Sequence, residues 1–216
     1  MTEDVHVIRI KSDFSMTLDT IQNGIVSTKA ISPHDLEKAF LNSMVDSKTS
    51  SGLLPQNCVS WAKSSKGDTS YYVILHKEEY ADIQYHNTKY QRFPIPRLVF
   101  GFQLSGNKIF GVNLGVIGKG ELSEDTEMYH YPFSNVSGFR MCTGSNKLPD
   151  IKKITSLANL PYYIMSIPDN DDQYHSSNNK LNLGHRELLE HLKDKTPEYY
   201  YTDVLIKSNR KLKDFI

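Results

Sequence analysis

The first 45 residues alternate apolar and polar positions and then change to a helical period. Residues 5–10 read Val-His-Val-Ile-Arg-Ile, which predicts a β-strand, and residues 24–31 predict its hairpin partner. Ser32 is typical of a helix N-cap, with Pro33 at the first helical position and Asp35 in the first turn. One apolar stripe at helical spacing follows, formed by Leu36, Phe40, Leu41, Met44 and Val45.

Residues 46–56 interrupt this periodicity. The segment is rich in serine and contains Gly52 and Pro55, so it predicts a loop or hinge. A length of 216 residues suits one domain with an appendage. We therefore expect a hairpin and helix appendage over residues 1–56 and a main domain over residues 57–216.

The central part of the chain has the pattern of a β-sheet. Ser105-Gly-Asn-Lys predicts a tight hairpin turn between two strands, and Phe93-Pro-Ile-Pro predicts a break in regular pairing. Residues 118–125 predict a loop that leads to a short strand over residues 126–131. The longer predicted strands cover residues 57–63, 70–76, 97–104 and 108–116.

Helical patterns appear only towards the carboxy terminus. A helix is expected from Leu148 onwards, and a second one over residues 184–193. Residues 168–182 are polar and predict an exposed loop between them, while residues 197–216 mix tyrosines with lysines. The inward positions expected are Ile151, Ile154, Leu157 and Ala158 in the first helix, and Leu188, Leu189 and Leu192 in the second. Strands followed by helices favour an α+β fold built on an antiparallel meander.

Charge and cysteine content indicate which partners and which cellular environment to expect for the protein. Twenty-five basic and 25 acidic residues cancel, so no overall field attracts the chain to nucleic acid or to an anionic membrane. No apolar run has the length of a membrane span, and the charged amino terminus lacks the apolar core of a signal peptide. Cys58 and Cys142 are isolated, so we expect a reduced, cytoplasmic protein without disulfides.

The segment over residues 129–144 carries the most suggestive chemistry. It places Asn135 and a turn at Gly138 shortly before Cys142, with His130 and Pro132 upstream. Cysteine is a strong nucleophile, and an asparagine amide can donate a hydrogen bond to a developing oxyanion. This arrangement indicates an acyl-transfer site. The alternative is an ordinary surface loop followed by a buried cysteine in a strand.

Other kinds of site find less support in the sequence. Cys58 lies between apolar residues, which is typical of a small core side chain. The eight histidines are scattered without metal-ligand spacing, and residues 115–120 lack the spacing of a phosphate-binding loop. The tyrosines and basic residues of the tail could stack on and hold single-stranded nucleic acid, but neutral net charge favours a helix whose aromatic and apolar residues pack and whose lysines are solvated. These residues are Tyr199, Tyr200, Tyr201, Lys207, Arg210, Lys211 and Lys213.

Three segments resemble the prokaryotic ubiquitin-conjugating-enzyme-like family D. They are Arg92-Phe-Pro-Ile-Pro-Arg-Leu-Val-Phe, Tyr129-His-Tyr-Pro-Phe-Ser-Asn-Val and Gly138-Phe-Arg-Met-Cys-Thr-Gly. That family includes protein B of the PRTRC cassettes, which pair ParB-related and ThiF-related genes. The resemblance begins at about Asn57. The same region is similar to the active-site segment of ubiquitin-conjugating enzymes, although its histidine, proline and asparagine are spread out and no tryptophan follows Cys142.

The resemblance implies a UBC-like antiparallel meander flanked by helices. It implies that Cys142 receives the acyl group of a ubiquitin-like protein from a ThiF-type adenylating enzyme, with Asn135 stabilising the oxyanion. Four residues would shape the active-site turn: His130, Pro132, Gly138 and Gly144. No metal or organic cofactor is required. The alternative is a non-catalytic UBC-like scaffold that binds an adenylating or ParB-like partner in a plasmid or mobile-element system.

Overall fold

A computed structural model of the chain describes residues 5–43, 50–64 and 68–216. The chain divides into two compact units, residues 1–51 and 52–216. Met44, Val45 and the first part of the predicted hinge lie outside the described residues. No helix among the described residues is long and apolar enough to cross a membrane.

The first unit contains a three-stranded antiparallel sheet. Its strands are β1 (Val5–Ile10), β2 (Met16–Gln22) and β3 (Ile25–Ile31), in the order β1-β2-β3. The prediction that residues 24–31 pair with the first strand is therefore wrong, because β2 lies between them. The β2–β3 turn is formed by Asn23 and Gly24, whose φ angles of +48° and +79° suit these residue types.

Helix α1 (Pro33–Ser43) follows this sheet and begins where the sequence predicts. The amide of Asp35 donates to the Ser32 hydroxyl at 3.1 Å, and the amide of Ser32 donates to the Asp35 carboxylate at 3.2 Å. These reciprocal bonds satisfy backbone donors that the first helical turn leaves unpaired. Phe40 and Leu41 of the predicted apolar stripe remain exposed.

The second unit is built on an antiparallel sheet. Its main ladder has the order β11-β12-β9-β8-β5-β4, and β10 pairs with both β9 and β13. The strands of this unit are β4 (Cys58–Lys63), β5 (Thr69–His76), β6 (Glu79–Tyr85), β7 (Thr88–Ile95), β8 (Leu98–Ser105), β9 (Lys108–Ile117), β10 (Glu127–Tyr129), β11 (Val136–Ser137), β12 (Arg140–Met141) and β13 (Lys207–Lys211). The predicted turn joins β8 to β9, with Ser105 opposite Lys108 and Gly106 at φ +58°.

An additional hairpin separates β5 from β8 along the chain. Strands β6 and β7 form a separate two-stranded sheet, and β5 pairs with β8, the next strand after this hairpin. The predicted break at residues 93–96 is wrong in part, because Pro94 lies within β7 opposite Tyr80. The two-stranded hairpin tolerates the missing proline amide. The irregularity lies just before it, where Arg92 adopts φ +50° and the register shifts between Ala81 and Ile83.

The main core covers one face of this sheet. Alternating side chains of β5, β8 and β9, such as Ile74, Phe100 and Leu114, belong to the same buried cluster as the apolar faces of the carboxy-terminal helices. A smaller cluster covers the opposite face and contains Val73, Val99, Ile117, Met128, Leu212 and Phe215. Burial on both faces explains why β8 has an almost continuous apolar run.

The carboxy-terminal helices differ in part from the prediction. The helix expected from Leu148 starts later, as a 3-10 turn over Ile154–Asn159 that continues into α2 (Leu160–Met165). Lys153, directly before this turn, is extended, and the amide of Ile151 donates to the carbonyl of Asn107 at 2.7 Å. Pro161 lies in the first turn of α2. A proline is tolerated there because the backbone amide that it lacks would have no acceptor within the helix. Helix α3 (His185–Leu192) is confirmed, with all three predicted leucines buried.

The polar stretch over residues 168–182 is mostly irregular and about half of its residues are exposed, as its composition predicts, but several of its polar groups are bonded within the protein. Asn179 is buried, and its side-chain amide donates to the carbonyl of Ser176 at 2.9 Å. Tyr85 and Asp169 form an isolated parallel bridge, which attaches the segment to β6. Hydrogen bonds within the segment and to β6 therefore replace solvent for several of its polar groups.

The tyrosines of the tail are part of the core. Tyr200 is fully buried and donates its hydroxyl to the carbonyl of Pro94 at 2.9 Å. Tyr199 and Tyr201 pack against the same cluster. Three of the four basic side chains pair with carboxylates, Lys207 with Glu127 and both Lys211 and Lys213 with Asp125, while Arg210 lies over the ring of Phe139. These contacts support a packed tail over a nucleic-acid platform, but the predicted helix is wrong beyond Val204, because residues 207–211 form β13.

Replacing Tyr200 with phenylalanine is expected to lower the free energy of unfolding by about 1–3 kcal/mol, because the Pro94 carbonyl loses its donor in a buried site. Urea denaturation measures the change. Tyr163→Phe is the matched control: its hydroxyl donates to the Lys147 carbonyl at 2.9 Å, but the side chain is exposed and water can replace the bond. Equal losses in the two variants would contradict a core role for Tyr200.

Candidate functional site

A short hairpin formed by β11 and β12 places Cys142 beside Asn135. Ser137 pairs with Arg140, and Gly138 in the two-residue turn has φ +62°, a conformation that glycine adopts without strain. The hairpin is closed by the amide of Cys142, which donates to the carbonyl of Asn135 at 2.7 Å. Two residues that the sequence predicts as a catalytic pair are thus joined through their backbones.

Cys142 is exposed and lies between two depressions of the surface. The first is a cavity of about 120 Å³, with mainly apolar walls that include Tyr131, Phe133 and Leu114. The second is a more open groove along Phe110 and Arg140. Cys142 contributes to the lining of both, so its thiol region is accessible to a partner at the surface.

The other predicted residues separate into two groups. Gly144, at φ +55°, lines both the cavity and the groove together with Cys142. His130 is exposed, does not line the cavity, and is held by its amide, which donates to the carbonyl of Ile206 at 3.0 Å. Pro132 is buried and also lies outside the lining. The structure therefore places Asn135, Gly138 and Gly144 in the Cys142 loop and His130 apart from the cavity.

A carboxylate from a distant part of the chain anchors the Asn135 side chain. Asn135 Nδ2 donates to Asp169 Oδ1 at 2.5 Å, and the Ser134 hydroxyl donates to the same oxygen. The amide of Asn170 donates to it as well, at 3.2 Å. A further bond from the amide of Asn135 to the carbonyl of Asp172, at 2.9 Å, holds the two segments together.

His185 lies behind this carboxylate at the start of α3. Its Nε2 is 3.6 Å from Asp169 Oδ2, and its Nδ1 is 3.4 Å from Asp171 Oδ1. Tyr174 stacks on the buried ring, with ring centroids 4.6 Å apart and planes 7° from parallel. Tyr85 contacts the ring from another side and donates its hydroxyl to Asp171 at 2.7 Å.

Burial dominates the electrostatics of this cluster. It raises the pKa of the Asp169 carboxyl, an effect opposed by the hydrogen bond from Ser134 and by the nearby His185. It lowers the pKa of His185, against the attraction of the two aspartates. Burial, together with the bond to Asp171, raises the pKa of Tyr85 to about 12, so this hydroxyl keeps its proton at neutral pH. The site thus combines an accessible thiol with a half-buried carboxylate.

Sequence reasoning does not identify Ser134, Asp169 or His185 as members of the site. Ser134 lies within residues 129–144, next to Asn135, and this position in the sequence could have indicated it. Asp169 follows a proline in a run of acidic and amide residues, a composition typical of solvated loops. Among the described residues, no group of three or more histidine, cysteine, aspartate or glutamate side chains could hold a metal ion.

The two cysteines differ in their surroundings. Cys58 is half-buried, its thiol donates to the carbonyl of Ser60 at 3.2 Å, and burial raises its pKa. Because the thiolate is the reactive form, iodoacetamide should alkylate Cys142 in the folded protein on the order of tenfold faster than Cys58. Mass spectrometry of the two cysteine peptides measures both rates across pH. Equal and slow labelling would argue against an accessible nucleophile at Cys142.

Comparison with known proteins adds one finding. The sequence model of prokaryotic E2 family D matches residues 35–208, which is most of the chain. No curated protein and no solved structure matches it. The match spans α1 and nearly all of the second unit, including the Cys142 hairpin and Asp169. On this match, together with its antiparallel sheet and few helices, the chain belongs to prokaryotic E2 family D.

Proposed function

We propose that the protein carries a ubiquitin-like protein as a thioester on Cys142. Membership of the E2-like family points to a ubiquitin-conjugating-like role and to partners such as a ubiquitin-like protein and its activating enzyme. The observation that carries the proposal is the closed hairpin, which holds an exposed cysteine next to Asn135 at the rim of a cavity. A cysteine nucleophile needs this kind of access.

The reaction would proceed in two acyl transfers. A ThiF-type partner, in a PRTRC-type or other mobile-element system in the cytoplasm, activates the carboxyl terminus of the ubiquitin-like protein with ATP. The Cys142 thiolate attacks the carbonyl of the resulting acyl adenylate, the thioester bond forms, and the acyl–phosphate bond breaks with release of AMP. An amine then attacks the thioester, the Cys142 thiolate leaves, and the amine proton passes to solvent. Asn135 would donate from Nδ2 to the oxyanion of each tetrahedral intermediate.

The remaining predicted residues would act through backbone shape. Gly138 and Gly144 supply left-handed conformations on either side of Cys142, which allow the loop to turn sharply at the thiol. Pro132 and His130 lie in the segment that leads into the hairpin and would set its direction. No group in this scheme requires a metal or organic cofactor, because the thioester bond stores the energy of the acyl group.

A second function is a non-catalytic scaffold that binds an adenylating or ParB-like partner. One observation favours it: the Asn135 carboxamide is already bonded to Asp169, so part of its donor capacity is used within the protein. The fold is the same in both proposals. Only the chemistry at Cys142 separates them.

The experiment that tests the proposal combines the protein with a candidate adenylating enzyme, ATP and its ubiquitin-like protein. We expect an adduct that dithiothreitol removes, because thiols cleave thioesters but leave peptide bonds intact. Denaturing electrophoresis with and without dithiothreitol detects it. If a partner that demonstrably adenylates its ubiquitin-like protein gives no adduct, the scaffold function is the better description.

A further inference from the structure

A carboxylate 34 residues away in sequence determines which atoms the Asn135 side chain presents. Asp169 Oδ1 accepts hydrogen bonds from Asn135 Nδ2 and from the Ser134 hydroxyl. An ionised carboxylate has no proton to donate, so the carboxamide can approach it only through its NH₂ group. One Nδ2 hydrogen is used in this bond, and the second remains for another acceptor.

We propose that Asp169 is a positioning residue that fixes the Asn135 carboxamide with its second Nδ2 hydrogen available to the acyl group on Cys142. The proposal rests on the function proposed above for Cys142 and Asn135. It gives the Ser134–Asp169 bond a role as well, because a second donor on the same oxygen holds the carboxylate in place. Asp169 itself acts through Asn135 and takes no proton from the substrate.

The second carboxylate oxygen lies opposite a buried histidine that does not hydrogen-bond to it. Oδ2 faces Nε2 of His185 at 3.6 Å, and the His185 ring is fixed by the stacked Tyr174. The packed rings of His185 and Tyr174 occupy the space on this side and so limit rotation of Asp169 away from Asn135. The titratable groups that surround the carboxylate are His185 of α3, Tyr85 of β6, Tyr131 of the segment before β11, and Asp171 of its own loop.

Protonation of Asp169 would remove the constraint. A neutral carboxyl group has one donor and one acceptor, so it can bond to either the NH₂ or the carbonyl end of the carboxamide. Asn135 could then turn its carbonyl towards Asp169 and withdraw both Nδ2 hydrogens from that bond. Since burial raises the pKa of Asp169, this change should occur at a higher pH than for an exposed aspartate. Transfer from Cys142 is therefore expected to decline on the acidic side.

Asp169→Asn reproduces the neutral state at every pH with almost the same shape. The matched control is Asp194→Asn, which removes a negative charge from an exposed side chain just after α3 that lines neither the cavity nor the groove. Each full-length protein is first acylated at Cys142 with a peptide thioester that ends in Gly-Gly and has mercaptoethanesulfonate as leaving group. The purified acyl-protein then reacts with hydroxylamine between pH 5 and pH 8, and mass spectrometry follows the loss of the acyl group.

We expect the wild type to react on the order of tenfold faster than Asp169→Asn at pH 8. This factor is smaller than the one expected for complete removal of an oxyanion donor, because the Asn135 carboxamide is misplaced and not absent. The two rates should converge as the pH falls, because the wild type becomes protonated at Asp169. Asp194→Asn should follow the wild type throughout. A gap between wild type and Asp169→Asn that is absent, or that is constant across pH, would overturn the proposal.

A second measurement in the same proteins separates this inference from the proposed function. The Nδ2 hydrogens of Asn135 give assignable NMR resonances, and these should shift with pH in the wild type but not in Asp169→Asn. If no variant can be acylated at Cys142, the proposed function fails, yet these resonances still decide whether Asp169 orients Asn135. Resonances that are unaffected by both pH and the substitution would reject the positioning role.

Discussion

Replacing Cys142 with alanine is expected to abolish the dithiothreitol-sensitive adduct completely, because no other described group at the hairpin is a comparable nucleophile. Cys142→Ser should instead form an adduct slowly, and that adduct should resist dithiothreitol. The hydroxyl keeps the position of the thiol but is a weaker nucleophile, and the oxyester that it forms is not cleaved readily by thiols. Electrophoresis after incubation with the adenylating enzyme, ATP and the ubiquitin-like protein distinguishes the three proteins.

Cys58→Ala is the control for this series. The half-buried Cys58 thiol donates to the carbonyl of Ser60 and packs against the main core. Its loss should leave adduct formation unchanged and lower stability by an amount typical of a small cavity, about 1 kcal/mol. An adduct that persists in Cys142→Ala but disappears in Cys58→Ala would move the nucleophile to Cys58 and refute the assignment of the site.

Local sequence patterns predict those parts of the site that are close together in the chain. Asn135 and Cys142 are brought together by one tight hairpin, so their approach needs only a turn at Gly138. The capped start of α1 and the turn at residues 105–108 are likewise decided by neighbouring residues. Such features depend on a few adjacent backbone groups, and the sequence contains all the information that they need.

The features that the sequence does not predict depend on distant contacts. Asp169 is in a polar run, and only its approach to Ser134 and Asn135 makes it a half-buried anchor. The β6–β7 hairpin interrupts the predicted meander along the chain, and β5 pairs with β8, the strand that follows this hairpin. Pro94 is a residue type that usually interrupts strands, yet it lies within β7. Its carbonyl accepts a hydrogen bond from the hydroxyl of the distant Tyr200. Tertiary contacts override local propensity in each case.

Removing the carboxamide of Asn135 is expected to slow acyl transfer to an amine by on the order of a hundredfold while Cys142 still becomes acylated, as is typical for loss of one oxyanion donor. The choice of variant matters, because Asn135 has φ +61°. Alanine is strained in this left-handed conformation, whereas glycine adopts it readily. Asn135→Gly therefore removes the side chain with little cost to the hairpin, and single-turnover transfer to hydroxylamine measures its effect.

Asn146→Ala supplies the matched control, since this asparagine also lines the cavity and the groove but donates its side-chain amide to the carbonyl of Thr143. It should transfer at nearly the wild-type rate. Agreement between Asn135→Gly and Asn135→Ala would assign the loss to the missing carboxamide, whereas a defect in the alanine variant alone would assign it to backbone strain. If Asn135→Gly transfers as fast as the wild type, Asn135 donates nothing to the oxyanion, and the backbone amides around Cys142 become the remaining candidates.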